Sequence, residues 1–147
     1  MEHAKTHQLR HGRHSEPNRI YLITTPTHNR LPVFSDFCAA RELIHVLKNA
    51  QHLEQAETLA FVVMPDHLHW LMQLGTQSSL SKTVQSIKSY SARRLGISPL
   101  WQPGFHDHAL RQEDDVINIA RYIVMNPVRA GITNSIRNYP HWDAIWL

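Results

Sequence analysis

Two histidines separated by one apolar residue, His67-Leu68-His69, stand inside the run Val62-Val63-Met64-Pro65-Asp66-His67-Leu68-His69-Trp70-Leu71-Met72. Successive side chains of a β-strand point to opposite faces, so in a strand both imidazoles project from one face and Leu68 enters the core behind them. Two imidazoles held that way can grip one divalent cation with little side-chain freedom left to lose. Composition offers a plainer origin. With 12 histidines in 147 residues, a His-x-His tripeptide is by itself a weak motif, and both readings stay open. A second copy, His106-Asp107-His108, has a charged middle residue, with Arg111, Gln112 and Glu113 close behind. That pattern suits a wet loop or a short edge strand better than a metal pair.

Covalent chemistry would need a nucleophile, and the segment from Asp115 to Arg129 offers one. Val116, Ile119, Ala120, Ile123 and Val124 recur at helical spacing as a core stripe. Tyr122 and Asn126, four apart, fall on an adjacent polar strip with Asp115, Asn118 and Arg129. A tyrosine serving only as packing belongs inside the stripe. One at its margin is either a boundary residue with its hydroxyl in water or a reactive group. Tyr90, in Ile87-Lys88-Ser89-Tyr90-Ser91-Ala92-Arg93-Arg94, is the competing candidate, whereas Tyr21 and Tyr139 lack such surroundings.

These residues must be positioned by one domain's worth of chain. A hydrophobic share of 42% and a charged share of 18% are ordinary for a globular protein. Cys38 is the one cysteine, which excludes an intramolecular disulfide and predicts a reducing, cytoplasmic setting. No apolar run approaches a membrane span, and Met1 to His14 is polar and His/Arg-rich, unlike a secretory signal. That stretch, residues 1–14, reads as a flexible basic arm before a single domain over 15–147. The net charge of +3 leans toward a polyanionic partner. Lys5, Arg10, Arg13 and Arg19 cluster at the start, and Lys82, Lys88, Arg93 and Arg94 in one later segment. A solvated helix face explains the second group as simply as phosphate contact does.

The order of elements is strand, helix, strand, strand, helix, strand. Ile20 to Thr25 is a β-branched and aromatic run stopped by Pro26. Ser35 can cap a helix to about Asn49 with Ala39, Leu43, Val46 and Leu47 inward. Leu59 to Met64 and His67 to Leu74 form a hairpin about Pro65-Asp66. Ser79 opens a second helix carrying Leu80, Val84, Ile87 and Leu95, which Gly96 closes. A short strand falls near His108 to Leu110, and a third helix runs from Glu113 to about Met125, before Pro127. This is the order of a ferredoxin-like, split βαβ layer of the α+β class: an antiparallel sheet backed by helices. The fold by itself assigns no function.

Taken together, His67-Leu68-His69 and Tyr122-Ile123-Val124-Met125-Asn126-Pro127-Val128-Arg129-Ala130-Gly131 resemble the single-tyrosine HUH transposases, and most of all the REP-associated tyrosine transposases. Further agreements are Gly12-Arg13 to Thr25, Met64-Pro65-Asp66, Ser86 to Arg94, and Leu100-Trp101 through Phe105, His108 and Arg111. The resemblance implies that His67, His69 and Asn126 bind a divalent metal, magnesium or manganese, and that Tyr122 is the nucleophile. It implies hairpin DNA as partner, with cleavage in the single-stranded flank through a 5′-phosphotyrosine. Arg10, Arg13, Arg19, Lys82, Lys88, Tyr90, Arg93, Arg94 and His108 are then the expected DNA contacts. A monomer or a homodimer fits equally. The chain ends at Leu147, so a compact member without a long C-terminal tail is expected.

Two other classes fit parts of the pattern. A non-catalytic single-strand or RNA-binding module on the same fold would stack bases on Tyr90, Trp101 and Phe105 and need no metal. A metal-dependent phosphodiesterase would activate water and never join itself to DNA.

Overall fold

The structure, a computed structural model, describes residues 15–111 and 114–146. Five strands form one antiparallel sheet: β1 (Ile20–Pro26), β2 (Ala56–Met64), β3 (His67–Leu74), β4 (His106–Ala109) and β5 (Trp142–Ala144), in the order β4-β1-β3-β2-β5. The first four have the ferredoxin-like order, and β5 extends the sheet beyond β2. Among the described residues four α-helices accompany them: α1 (Phe37–His52), α2 (Leu80–Leu95), α3 (Val116–Val124) and α4 (Asn126–Arg129).

The pleat divides the sheet into two unlike faces. Tyr21, Ile23, Phe61, Val63, Leu68, Trp70, Met72 and Leu74 pack against α1 and α2 in the larger core. On the opposite face Leu71, Ala60 and Leu59 meet Ala120, Ile123 and Val124 of α3 in a smaller one. Because both faces are covered, β2 is almost wholly buried, as its unbroken run Phe61-Val62-Val63-Met64 requires. The chain closes on that strand at its far end, where the Tyr139 hydroxyl donates to the Val63 carbonyl and the Val63 N–H to that of His141.

Helix ends follow local chemistry. Asp36 caps α1 by accepting from the Ala39 N–H at 2.9 Å. Ser35, the cap expected from sequence, instead ends a short 3-10 turn, so the helix starts later and runs on to His52. Ser79 caps α2 as expected, and Gly96 closes it in the left-handed region at φ 66°, where a side chain would be strained. The expected third helix is really two. Asp115 caps α3, which ends at Val124, and the chain re-forms a turn at α4 after Met125. Pro127 is the cause, since it has no N–H to continue the ladder. The fourth strand begins at His106 rather than His108, and β5 was not foreseen.

Candidate active site

The β2–β3 turn delivers the histidine pair to the sheet face that α3 covers. His67 and His69 alternate with Leu68 and Trp70, which are buried on the other side. The Nε2 atoms of His67 and His69 converge to 3.1 Å, with the rings edge to face at 88°. Each outer nitrogen is held from behind. Nδ1 of His67 lies 2.7 Å from Oδ1 of Asp66, and Nδ1 of His69 lies 3.0 Å from the Thr24 hydroxyl on the neighbouring strand. With their protons on Nδ1, both rings turn Nε2 lone pairs to the same point, an arrangement in which two imidazoles share one cation.

Asp66 is itself fixed from two sides. Its second oxygen takes Arg30 Nε at 3.1 Å, and its backbone carbonyl accepts from the Thr27 N–H at 2.9 Å. Arg30 holds φ 54°, a left-handed conformation uncommon for a side-chain-bearing residue, in the 3-10 turn His28–Arg30 that brings it over the hairpin. Burial works against the charge on Asp66. The hydrogen bond from His67 and the positive charge of Arg30 nonetheless hold its carboxyl below the usual range. Burial, then the charges of His67, Arg129 and Arg30, push His69 down to about 4. His69 is therefore neutral at physiological pH.

The helical strip converges on the same side. Tyr122, Asn126 and Arg129 are spaced i, i+4 and i+7, and Met125 keeps the backbone in the helical region (φ −82°, ψ −1°), so the strip survives the break at Pro127. The Asn126 Nδ2 donates to the Ile123 carbonyl at 2.9 Å, which leaves Oδ1 pointing outward, where Arg129 Nη2 donates to it at 2.9 Å. The Arg129 guanidinium also stacks over the Tyr122 ring, 3.8 Å from its centroid.

The four tyrosines separate cleanly. Tyr21 and Tyr139 are buried, and Tyr139 is pushed up to about 12 by burial. Tyr90 sits on α2, across the sheet from the histidines, with Arg94 donating to its hydroxyl at 3.2 Å and Arg93 over its ring. Tyr122 is 65% exposed and lies on the histidine side.

Other expected contacts fare differently. Lys82, Arg93 and Arg94 are exposed along α2, with Arg94 also bridged to Glu42 at 2.6 Å. Lys88 is corrected: it is buried, and its ammonium donates to the carbonyls of Gln102 and Gly104 at 2.7 and 2.6 Å. It anchors the loop before β4 instead of facing a phosphate. Trp101 and Phe105 are also buried, Trp101 donating to Ser91 Oγ at 2.8 Å, so neither is free to stack on a base. Arg19 is partly buried and tied to Glu16, while Arg10 and Arg13 lie outside the described residues. His106 and His108 are exposed, and register pairs them with Thr24 and Leu22. Thr24 in turn pairs with His69, so this second His-x-His shares the sheet face of the first, displaced to the edge.

Sequence reasoning missed Thr24 and Arg30 and left Asp66 as a turn residue. Their roles depend on cross-strand register and on the 3-10 turn, which no local pattern displays. Among the described residues no three His, Cys, Asp or Glu side chains gather as a metal cluster. Asn126, expected from sequence to complete the pair, is of a residue type outside that set, and its amide oxygen accepts from Arg129. No helix of the described residues is long and apolar enough to cross a membrane.

A family model described as transposase IS200 like matches residues 17–126. The REP-associated tyrosine transposase of Escherichia coli K12 is 30% identical over 100 residues, covering 67% of this chain and 60% of that protein. The chain thus spans about 60% of the length of this curated relative. Among solved structures, a REP-associated tyrosine transposase bound to a REP hairpin superposes with a TM-score of 0.77 at 25% identity, covering 88% of this chain and 79% of that one. A Deinococcus radiodurans R1 structure described as a transposase gives a TM-score of 0.56 at 25% identity, over 86% and 95% of the two chains.

Proposed function

The chain belongs to the IS200-like transposase family, and from that membership we propose that it cleaves and rejoins single-stranded DNA beside a hairpin, with Tyr122 as nucleophile. One observation carries the reading: the exposed tyrosine lies on the sheet side where His67 and His69 turn both Nε2 atoms to one point. That a relative of the same fold is bound to a REP hairpin supports hairpin DNA as the substrate class.

His67, His69 and the Asn126 amide oxygen would hold a divalent cation. The donor chemistry fits: two imidazoles oriented from behind, and one amide oxygen whose NH2 is already engaged. Nitrogen and oxygen donors with phosphate suit magnesium or manganese in use. Such an ion, when bound, polarises a phosphate and neutralises developing charge.

The residues of the chain do the rest. The Tyr122 oxygen attacks the scissile phosphorus, forming a 5′-phosphotyrosine as the P–O3′ bond breaks. The phenolic proton is given up and the leaving 3′-oxygen ends as a hydroxyl, so atoms and charge balance. The phosphodiester energy is retained in the tyrosine linkage, and rejoining needs no nucleotide cofactor. Asp66 and Thr24 keep the imidazoles from rotating. The exposed cations Lys82, Arg93 and Arg94 contact phosphates, Tyr90 stacks beside them, and His108 meets the strand at the β4 edge. Arg19 and residues 1–14, with Arg10 and Arg13, form a basic arm that reads the flank of the hairpin, ahead of the single catalytic domain 15–147.

Incubation with manganese and a hairpin oligonucleotide from the flanks of its own gene, followed by a denaturing gel, tests the reading. A protein–DNA adduct with release of a 3′-hydroxyl strand is expected. Cleavage without adduct would favour water as nucleophile, and binding without cleavage the non-catalytic module. The burial of Trp101 and Phe105 already removes two of that module's three stacking residues.

A further inference from the structure

Arg129 touches both halves of the site. Its guanidinium lies 3.8 Å from the Tyr122 ring centroid and donates to Asn126 Oδ1 at 2.9 Å. Its charge reaches His69, where it is one of the influences that disfavour protonation. The family model matches residues 17–126, and Arg129 follows three residues later in the motif that Tyr122 opens. We propose that Arg129 is the positioning residue of the site: it holds the Tyr122 ring and the Asn126 oxygen together, and gives up Asn126 when a divalent cation binds. The inference rests on the strand-cleavage reading and deepens it.

The argument begins with the helix break. Pro127 cannot offer an N–H to Ile123, and the Asn126 NH2 occupies that carbonyl, so the amide is locked with its oxygen outward. An oxygen held in that way attracts a cation. In this structure the cation is the Arg129 fork, three residues on. The contact is exclusive in kind, because a dication on the amide oxygen repels a guanidinium beside it. The stack on Tyr122 is independent of Asn126 and survives the exchange. A planar guanidinium pinned on the ring then offers its released N–H groups to the phosphate under attack, a geometry that an ammonium cannot reproduce. Arg129 thus fixes the ring before reaction and hands its free donors to the substrate only after the cation arrives.

Manganese binding to the DNA-free protein, followed by loss of the free-ion EPR signal, separates this from a surface role. Arg129→Ala should bind manganese roughly three- to tenfold more tightly than wild type, since a competing positive charge has gone. In an Asn126→Ala background the same substitution should give a smaller gain. Adduct formation on a pre-bound hairpin should fall roughly 100-fold in Arg129→Ala. Arg129→Lys, which keeps charge but not the planar fork, should not restore it. Hairpin affinity should change by less than about threefold. Unchanged or weaker manganese binding in Arg129→Ala overturns the proposal, as does hairpin affinity falling in step with adduct formation. If wild type forms no adduct, the strand-cleavage reading fails, and the manganese comparison still decides whether Arg129 and a cation compete for Asn126. Arg129 is exposed, and circular dichroism of Arg129→Lys checks that the fold is intact.

Discussion

The side-chain amide of Asn126 donates to the carbonyl of Ile123 at 2.9 Å, the acceptor that position 127 would reach in an unbroken helix. A proline therefore orients a proposed metal ligand through the N–H that it lacks. Pro127→Ala restores an N–H at that position and frees the amide to rotate. Manganese affinity is expected to weaken roughly tenfold, as for other changes behind a ligand. Far-ultraviolet dichroism should stay native, and titration calorimetry against the parent protein measures the affinity.

Tyr122→Phe removes one exposed oxygen, so stability should shift by less than about 0.5 kcal/mol while the covalent adduct disappears. Tyr90→Phe should leave the adduct measurable, because Tyr90 lies across the sheet. Peptide mapping of DNA-linked protein decides between them: an adduct on Tyr90 would overturn the assignment.

The histidine pair makes a pH prediction. The folded protein holds His69 at about 4, below its ordinary 6.5, so the unfolded chain takes up the proton first as pH falls. Stability is therefore full above about 6.5 and declines through the window down to about 4, by at most about 3 kcal/mol from this group. His141 is lowered too, chiefly by burial, and adds to the same slope. Thermal melts in chelator across that range should show the decline, and His69→Gln should flatten it. The double variant His67→Ala with His69→Ala should lose manganese-dependent cleavage yet still bind the hairpin.

Lys88→Met tests the correction made above. Leaving the Gln102 and Gly104 carbonyls without their donor should cost about 1–3 kcal/mol. The salt dependence of hairpin binding should not change. Lys82→Ala or Arg93→Ala should instead make that dependence shallower by about 0.7–0.9 per contact in a log–log plot, with little loss of stability.

Deleting residues 1–14 should reduce discrimination between the correct and a scrambled hairpin flank. Equal discrimination by the truncated protein, in competition binding, would remove the arm from recognition.

The strand that carries His67 and His69 was legible to the residue, because alternation and a Pro-Asp turn fix both its face and its start. The helix of α2 was equally legible from Ser79 and Gly96. What sequence could not show is how elements distant in the chain meet. Thr24 reaches His69 through register across 45 positions, and Lys88 reads as a surface cation until the loop after it folds back over its ammonium. Trp101 and Phe105 likewise read as stacking residues because nothing local reveals that both join the larger core, Trp101 against Phe34 and Ser91. The break at Pro127 was visible in the sequence. Its effect, turning Asn126 outward, needed the geometry.

The sheet has the exposed cations of α2 on one side and the histidine pair with Tyr122 on the other. If the proposed roles hold, that wall makes binding and cutting separable traits. On those roles, substitutions along α2 change how tightly DNA is held without altering the geometry of bond breakage, and a chain that lost Tyr122 keeps its grip. A lineage of such proteins could therefore exchange targets, or abandon cleavage and persist as a binder, one side at a time.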